Sequence, residues 1–231
     1  MNQSFPTEVL PGVMDVWVSG QIGLPLVIRW KKFLQNGKAR EQNSLQHSYS
    51  IAVFAIIFVK MLEKYASFDK EIIMDAVLLH DHGEGELKRD ILYNDKEESH
   101  DFDEYLAFVT RFGQLPEAVF KKCQRAFLLQ FALSNPVSFP EKARAIMQEI
   151  AEKQKVEALI FRALEYCDYF LYALEQYQEL DNVGLMVLVL GNHIPHFEQL
   201  AKELPGFKEV FWTEEVSRWC YEVFSRGEEN T

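Results

Sequence analysis

The chain has 231 residues, of which 48% are hydrophobic and 26% are charged. This length suits one domain with a sizeable core, and the composition excludes an intrinsically disordered chain. The net charge of −11 argues against long nucleic acids as partners, because a polyanion requires a broad basic surface.

Helical periodicity predicts an all-α protein that forms one domain. Residues 1–23 are interrupted by Pro and Gly, so we expect an irregular arm. A first helix is predicted from Leu24 to about Gln35, a second from about Ser44 to Tyr65, and a third from about Lys70 to Asp81, followed by a glycine-rich turn at residues 82–85. Further helices are expected near 101–112, 116–133, 141–152, 153–180, 183–203 and 213–225. Within this single predicted domain, residues 24–180 form the helical core and residues 181–231 add further C-terminal helices.

The longest apolar runs, residues 51–59 and 183–190, are too short to span a bilayer. The N-terminus lacks the basic and apolar series of a signal peptide. Three widely spaced cysteines suit reduced thiols better than a disulfide framework. We therefore expect a cytoplasmic protein with no membrane partner.

The adjacent residues His80 and Asp81 end an apolar helix whose periodicity would bury both side chains. A buried carboxylate requires a partner, and a metal ion is a suitable one. His47 and Asp168 occupy equivalent positions on the apolar faces of two other helices. Two imidazoles and two carboxylates suit one divalent ion from manganese to zinc (Mn, Co, Fe, Ni or Zn).

Simpler interpretations exist for each residue alone. His47 would also suit a core histidine bonded to a backbone carbonyl, and Asp168 a carboxylate paired with Arg162. His193 and His196 flank Pro195, which favours a loop or surface position. Only the joint pattern favours the metal site.

That joint pattern resembles the HD-domain phosphohydrolase superfamily, and within it the bacterial HD-domain 5′-nucleotidases. The resemblance covers roughly residues 29–180. It includes Arg29-Trp30, the segment from Asn43 to His47, the His80-Asp81-x-x-Glu84 segment, and Asp168. The resemblance implies an HD-type helical bundle with a metal bound by His47, His80, Asp81 and Asp168, and it suggests a homodimer.

Two positions depart from the family pattern. Gln46 stands where an acid is usual. Arg89 occupies the position of a further aspartate, so that Asp90, one residue later, and Glu86 compete for that role.

The resemblance also implies roles for residues around the metal. We expect Glu84 to orient the attacking water or move its proton, although an exposed turn residue is the alternative. Asp90 would protonate the leaving alkoxide or hold the sugar. Arg29 would bind the phosphate through its planar fork, and Trp30 would pack against the sugar or base unless it belongs to the core.

The substrate expected from these features is a small phosphorylated molecule, most plausibly a nucleotide. A local basic cluster at residues 29–40 suits such a ligand, although a solvated basic helix face would have the same composition. The leading hypothesis is a metal-dependent nucleotide phosphomonoesterase. The alternatives are an HD phosphodiesterase or pyrophosphohydrolase acting on a signalling nucleotide, and a catalytically inactive module that binds metal and nucleotide.

Overall fold

The computed structural model describes residues 12–31, 39–89, 96–134 and 136–228. Within these ranges the regular structure is helical, apart from one antiparallel pair of two-residue strands, β1 (Ile28–Arg29) and β2 (Gln42–Asn43). The predicted all-α class is confirmed.

The helices that the structure describes agree with most of the predicted spans to within a few residues. In chain order they are α1 (Val13–Gly23), α2 (Ser44–Leu62), α3 (Lys70–Leu79), α4 (His82–Leu87), α5 (Glu98–Phe112), α6 (Glu117–Leu128), α7 (Glu141–Lys153), α8 (Lys155–Leu180), α9 (Val183–Glu203), α10 (Phe207–Val210) and α11 (Glu214–Glu228). Helix α9 continues through Pro195.

The N-terminal region differs from the prediction. Residues 13–23 form helix α1 instead of an irregular arm, and residues 24–29 form a 3-10 turn and strand β1 instead of the start of a helix. The backbone becomes extended at Val27, whose carbonyl accepts from Ser44 N at 3.0 Å. This tertiary pairing outweighs the local helical pattern. Residues 32–35, the last part of that predicted helix, lie outside the described residues.

The predicted glycine-rich turn at residues 82–85 is also wrong, because these residues begin helix α4. Its glycines permit close helix packing. A Cβ at Gly83 would lie 2.4 Å from the backbone oxygen of Glu104 on α5, and a Cβ at Gly23 on α1 would lie 2.5 Å from the oxygen of Gly85. Glycine at these positions lets α1 and α5 approach α4 closely.

The hydrophobic core runs through the bundle and is rich in aromatic residues. Phe108 stacks between Phe112 and Phe127, with ring centroids 4.2 and 4.1 Å away. All three cysteines are free thiols. Helices α2, α3 and α8 pack against one another, which brings the N-terminal turn of α2 and the C-terminal end of α3 towards the middle of α8.

Within the described residues, helix α2 (Ser44–Leu62) is long and apolar enough to cross a membrane by length and composition. The continuous apolar run within it, residues 51–59, is by itself shorter than a bilayer span. A core helix of a soluble protein passes the same test, and α2 places His47, Ile51 and Phe58 in the interior of the bundle.

Candidate metal centre and its cavity

Three helices supply the candidate ligands, and each is positioned by local structure. A capping box starts α2: the Asn43 side chain accepts from Gln46 N, and the Gln46 side chain accepts from Asn43 N. An amide oxygen accepts this hydrogen bond as well as a carboxylate does, so Gln46 can fill the capping role of the acid that is usual at this position. His47 follows within the first turn, and its side chain is fully buried.

The four predicted ligands come together. The Nε2 atoms of His47 and His80 are 3.1 Å apart, and His80 Nε2 is 3.1 Å from Asp81 Oδ1. His47 Nε2 is 3.8 Å from Asp81 Oδ2. Asp168 instead faces the other ring nitrogen, with its Oδ2 2.7 Å from His47 Nδ1. The structure therefore pairs Asp168 with His47 and not with Arg162, the alternative partner considered from the sequence.

Hydrogen bonds orient both imidazoles. His80 Nδ1 lies 2.8 Å from the Val77 carbonyl oxygen, which can only accept, so this nitrogen donates. His47 Nδ1 donates to the Asp168 carboxylate in the same way. In their neutral forms both rings then carry a lone pair on Nε2, and the two lone pairs face the same space.

Glu165 is a further member of the group that the sequence reasoning did not select. Its Oε1 lies 3.2 Å from His80 Nε2 and 3.6 Å from His47 Nε2, and these three residues form a group that could hold a metal ion. The Oε1 atom is buried and has no hydrogen bond of acceptable geometry. The available signal was its spacing, because Glu165 precedes Asp168 by three residues and shares its helix face.

The pKa values show a site that stabilises positive charge. Burial and Arg29 lower the pKa of His47, but the carboxylates of Asp168 and Asp81 outweigh them and raise it to about 10. Burial raises the pKa of Glu165, but His80, His47 and Arg29 lower it to about 2. A field that holds a proton on His47 also favours a cation, and metal binding would displace that proton. The residues present therefore fit a divalent metal ion.

Arg29 and Trp30 occupy different environments. Arg29 is buried, its Nη1 lies 3.4 Å from Asp81 Oδ2, and its guanidinium lies 5.3 Å from the ring centroid of Tyr169. Trp30 stacks on Tyr172 at 4.7 Å, donates to Gln42 Oε1 at 3.1 Å, and is not among the residues that line the cavity. Its backbone φ of 61° is unusual for a bulky residue, and such strain accompanies functional positions.

Glu84 is buried, in contrast to the alternative that it is an exposed turn residue. Ser44 Oγ donates to Glu84 Oε2 at 3.4 Å. Burial, followed by the carboxylates of Asp81 and Glu104, raises the pKa of Glu84 well above its usual range, while Lys96 and Arg29 act in the opposite direction. A carboxyl group with a raised pKa suits proton transfer near neutral pH.

A cavity of about 560 Å³ adjoins these groups, a size typical of small-molecule sites. Glu84 and Glu165 both line it, so it reaches the candidate metal centre. Its other walls combine aromatic rings, cations and further carboxylates, among them Phe161, Tyr166, Tyr169, Lys96, Arg162, Glu97, Glu98 and Asp101.

Other candidate residues have structural roles or lie elsewhere. Glu86 accepts from Arg111 Nε at 2.9 Å and from Nη2 at 2.8 Å, and also from Ser19, so it is engaged in packing α4 against α1 and α5. Asp90 lies outside the described residues. Arg40 forms exposed ion pairs with Glu175 and Glu179, so this member of the predicted basic cluster lies on the outer surface of α8.

The expected loop or surface position of the second histidine pair is wrong for His193. It is buried, and its Nδ1 donates to the Val189 carbonyl at 2.9 Å within α9. His196 is half-buried and stacks on Tyr166 at 4.7 Å. Helix α9 therefore supports the aromatic wall of the cavity from behind.

Comparison with known proteins identifies one family. The family model described as HD domain matches residues 27–187, which is more than half of the chain and includes every candidate ligand. No curated protein and no solved structure matches the chain.

Proposed function

Because the chain belongs to the HD domain family, whose members are in general metal-dependent hydrolases, we propose that it removes the phosphate from a nucleoside monophosphate. One observation carries this proposal. The Nε2 atoms of His47 and His80 converge with the Asp81 carboxylate beside a buried Arg29, and Glu84 and Glu165 connect this group to a cavity of about 560 Å³.

The proposed reaction divides its tasks among several groups. When bound, a divalent ion would supply Lewis-acid activation of the phosphate and of water. His47, His80 and Asp81 would hold the ion, with Asp168 completing the set expected from the sequence. Glu84, whose raised pKa suits proton transfer, would accept a proton from the attacking water, and Asp90 would protonate the leaving alkoxide.

Arg29 supports recognition of a phosphate near the ion. Its guanidinium is held between Asp81 and the face of Tyr169, which orients the planar fork before any ligand binds. Trp30, through its stacking on Tyr172 and its bond to Gln42, supports the backbone on which Arg29 lies. Trp30 would then contribute to substrate binding indirectly, by positioning Arg29.

The charge of the cavity favours a monophosphate over a pyrophosphate. Four acidic side chains, Glu97, Glu98, Asp101 and Glu165, line it together with Glu84, whose raised pKa favours its neutral form, against the two cations Lys96 and Arg162. A ligand with a long polyphosphate would bring additional negative charge into this field and would be repelled. The aromatic side chains provide an apolar surface suited to a base.

Phosphate release tests the proposal. The purified protein would be assayed for bound metal and screened, with added divalent ions, against nucleoside monophosphates, diphosphates and cyclic dinucleotides. We expect monophosphates to be hydrolysed, chelation to stop the reaction, and Asp81→Asn to abolish it. Glu179→Gln, on the exposed part of α8, is the matched control.

Three results would lead to other conclusions. Turnover of cyclic dinucleotides or of diphosphates would favour the diesterase or pyrophosphohydrolase. Metal-dependent binding of nucleotides with no phosphate release from any of them would favour the inactive module. Full activity of Asp81→Asn would refute the proposed centre. A homodimer and a cytoplasmic location stay predictions, and light scattering of the purified protein tests the first.

A further inference from the structure

We propose that the outer face of helix α2, together with the exposed face of α1 beside it, is the surface through which two copies of this chain associate. The inference goes beyond the proposed function and does not depend on the reaction, because it concerns the side of α2 opposite the buried His47. It follows from the residues that this side exposes, from its lack of acidic side chains, and from its shape.

The outer face of α2 is apolar along the whole helix. Six large apolar side chains spaced three or four residues apart point away from the core: Leu45, Tyr49, Val53, Ile56, Ile57 and Met61. Their exposed fractions lie between 36% and 72%. A surface helix of a soluble protein normally presents polar and charged side chains to water. Within residues 44–62, Lys60 is the only lysine, arginine or acidic residue, so this face is suited to contact with protein.

Helix α1 and the turn after it carry a second set of exposed apolar side chains. Trp17 and Ile22 on α1 are 60% and 58% exposed, and Leu26 in the turn is 52% exposed. The turn packs against both α1 and α2, so the three elements are neighbours in the fold. The apolar surface of α2 therefore continues onto the N-terminal part of the described chain.

The size of this surface suits a stable interface. Nine large side chains that are about half exposed present on the order of 800 Å² to solvent. Monomeric soluble proteins rarely expose a continuous apolar patch above a few hundred Å², and larger patches mark interaction sites. A standard interface takes about 800 Å² from each partner. The exposed apolar area is thus sufficient for one dimer contact.

Charge favours a second copy over other occupants. The chain has 35 acidic and 24 basic residues, so two copies repel each other over most of their surfaces. Residues 44–62 contain no acid and α1 contains one, Asp15, so two such faces can meet with little repulsion. An anionic membrane would repel a chain with a net charge of −11. Helices that lie on bilayers also carry Lys and Arg on their polar side, whereas the other side of α2 belongs to the protein core.

The shape of the face suits a twofold dimer, in which the same patch serves both copies. Tyr49, 72% exposed, lies at a groove of about 590 Å³ that Leu45, Gln46 and Tyr172 also line. An exposed ring and a groove on one patch are self-complementary, because each copy can place its Tyr49 in the groove of the other. A partner of different shape would have to supply both features itself.

Sedimentation velocity tests the interface. Interfaces of this size have dissociation constants of about 1 μM or below, so the wild type should sediment as a dimer at about 10 μM. Val53→Glu would place a charge without a partner in the buried part of the interface, and we expect the dissociation constant to rise by at least about 100-fold. Val119→Glu is the matched control. Val119 lies on α6, outside the proposed face, and is exposed to nearly the same degree, 46% against 43% for Val53, so its variant should remain a dimer.

Circular dichroism checks that each variant is folded, and if Val53→Glu does not fold, Tyr49→Glu at the most exposed position of the face decides in the same way. A wild type that remains monomeric at that concentration would overturn the proposal. So would a folded Val53→Glu protein that dimerises as the wild type does, or equal dissociation of Val53→Glu and Val119→Glu. Binding of the wild type to vesicles of phosphatidylcholine and phosphatidylserine, lost in Val53→Glu, would assign the face to a membrane and would also overturn it.

Discussion

Gly83 lies between Asp81 and Glu84, and its lack of a side chain permits the contact between α4 and α5. A Cβ there would lie 2.4 Å from Glu104 O and 2.9 Å from Glu104 Cα, both backbone atoms that cannot rotate away. Ordinary contact would require the two helices to separate by about 1 Å, and overpacking of this kind costs about 1–3 kcal/mol. Gly83→Ala should therefore lower the free energy of unfolding by that amount.

The separation of α4 from α5 should also displace Glu84 from its place in the candidate site, because Glu84 directly follows Gly83 on α4. A misplacement of about 1 Å in a catalytic group can lower a rate by roughly 100-fold. We expect Gly83→Ala to lose most of its phosphate release and part of its metal affinity, because Asp81 lies two residues before Gly83 whereas His47 lies on another helix. Urea denaturation followed by circular dichroism measures the stability, and initial rates measure the activity.

Gly184→Ala provides the matched control. Gly184 also lies in a helix, but apart from the backbone of its own helix no atom of the described residues would lie within 4 Å of a Cβ there. Alanine is the better helix former, so this variant should be neutral or more stable by at most about 1 kcal/mol. If Gly83→Ala matched Gly184→Ala in both stability and rate, close packing would not be the reason for the glycine.

Three further predictions concern acid stability, the aromatic core and phosphate binding. Burial lowers the pKa of His193 from 6.5 to about 4, so on acidification the unfolded chain binds a proton before the folded one does. Stability should fall by up to about 3 kcal/mol as the pH drops from 6.5 to 4, and urea midpoints of His193→Gln should lack that component; an unchanged pH slope would contradict the assignment. Phe108→Ala removes the middle ring of the stack with Phe112 and Phe127 and should cost about 3–5 kcal/mol in urea denaturation, whereas a loss below about 1 kcal/mol would mean that the core collapses around the gap. Arg29→Lys keeps the charge but loses the planar fork, so KM for a monophosphate should rise about tenfold or more, and an unchanged KM would remove Arg29 from phosphate binding.

Local patterns in the sequence were sufficient to predict most of the helical framework. The apolar stripes of α2, α3 and α8 predicted where these helices lie and that His47, His80, Asp81 and Asp168 face the interior. Each of these inferences needs only the 3.6-residue repeat and the cost of burying charge. The capping box of Asn43 and Gln46 is also a local feature, because it involves only two residues that are three positions apart.

The errors occurred where distant parts of the chain meet. The glycines of α4 resemble a turn in sequence, and only the backbones of α1 and α5 beside them explain why they belong to a helix. Similarly, Leu24 to Arg29 has an apolar pattern suited to a helix but pairs with residues 42–44. Contacts between residues far apart in the chain outweigh propensities of a few tenths of a kcal/mol.

The sequence by itself determined the all-α class of the protein, the helices that carry the candidate ligands, and the presence of residue types that suit a divalent ion. Only the tertiary structure decided which carboxylate of α8 faces which nitrogen of His47. Glu165 and Asp168 are less than one helical turn apart, so periodicity places both on the same side of α8. The two carboxylates differ by a few ångströms relative to a ring on another helix, and that difference depends on how α2 and α8 pack together.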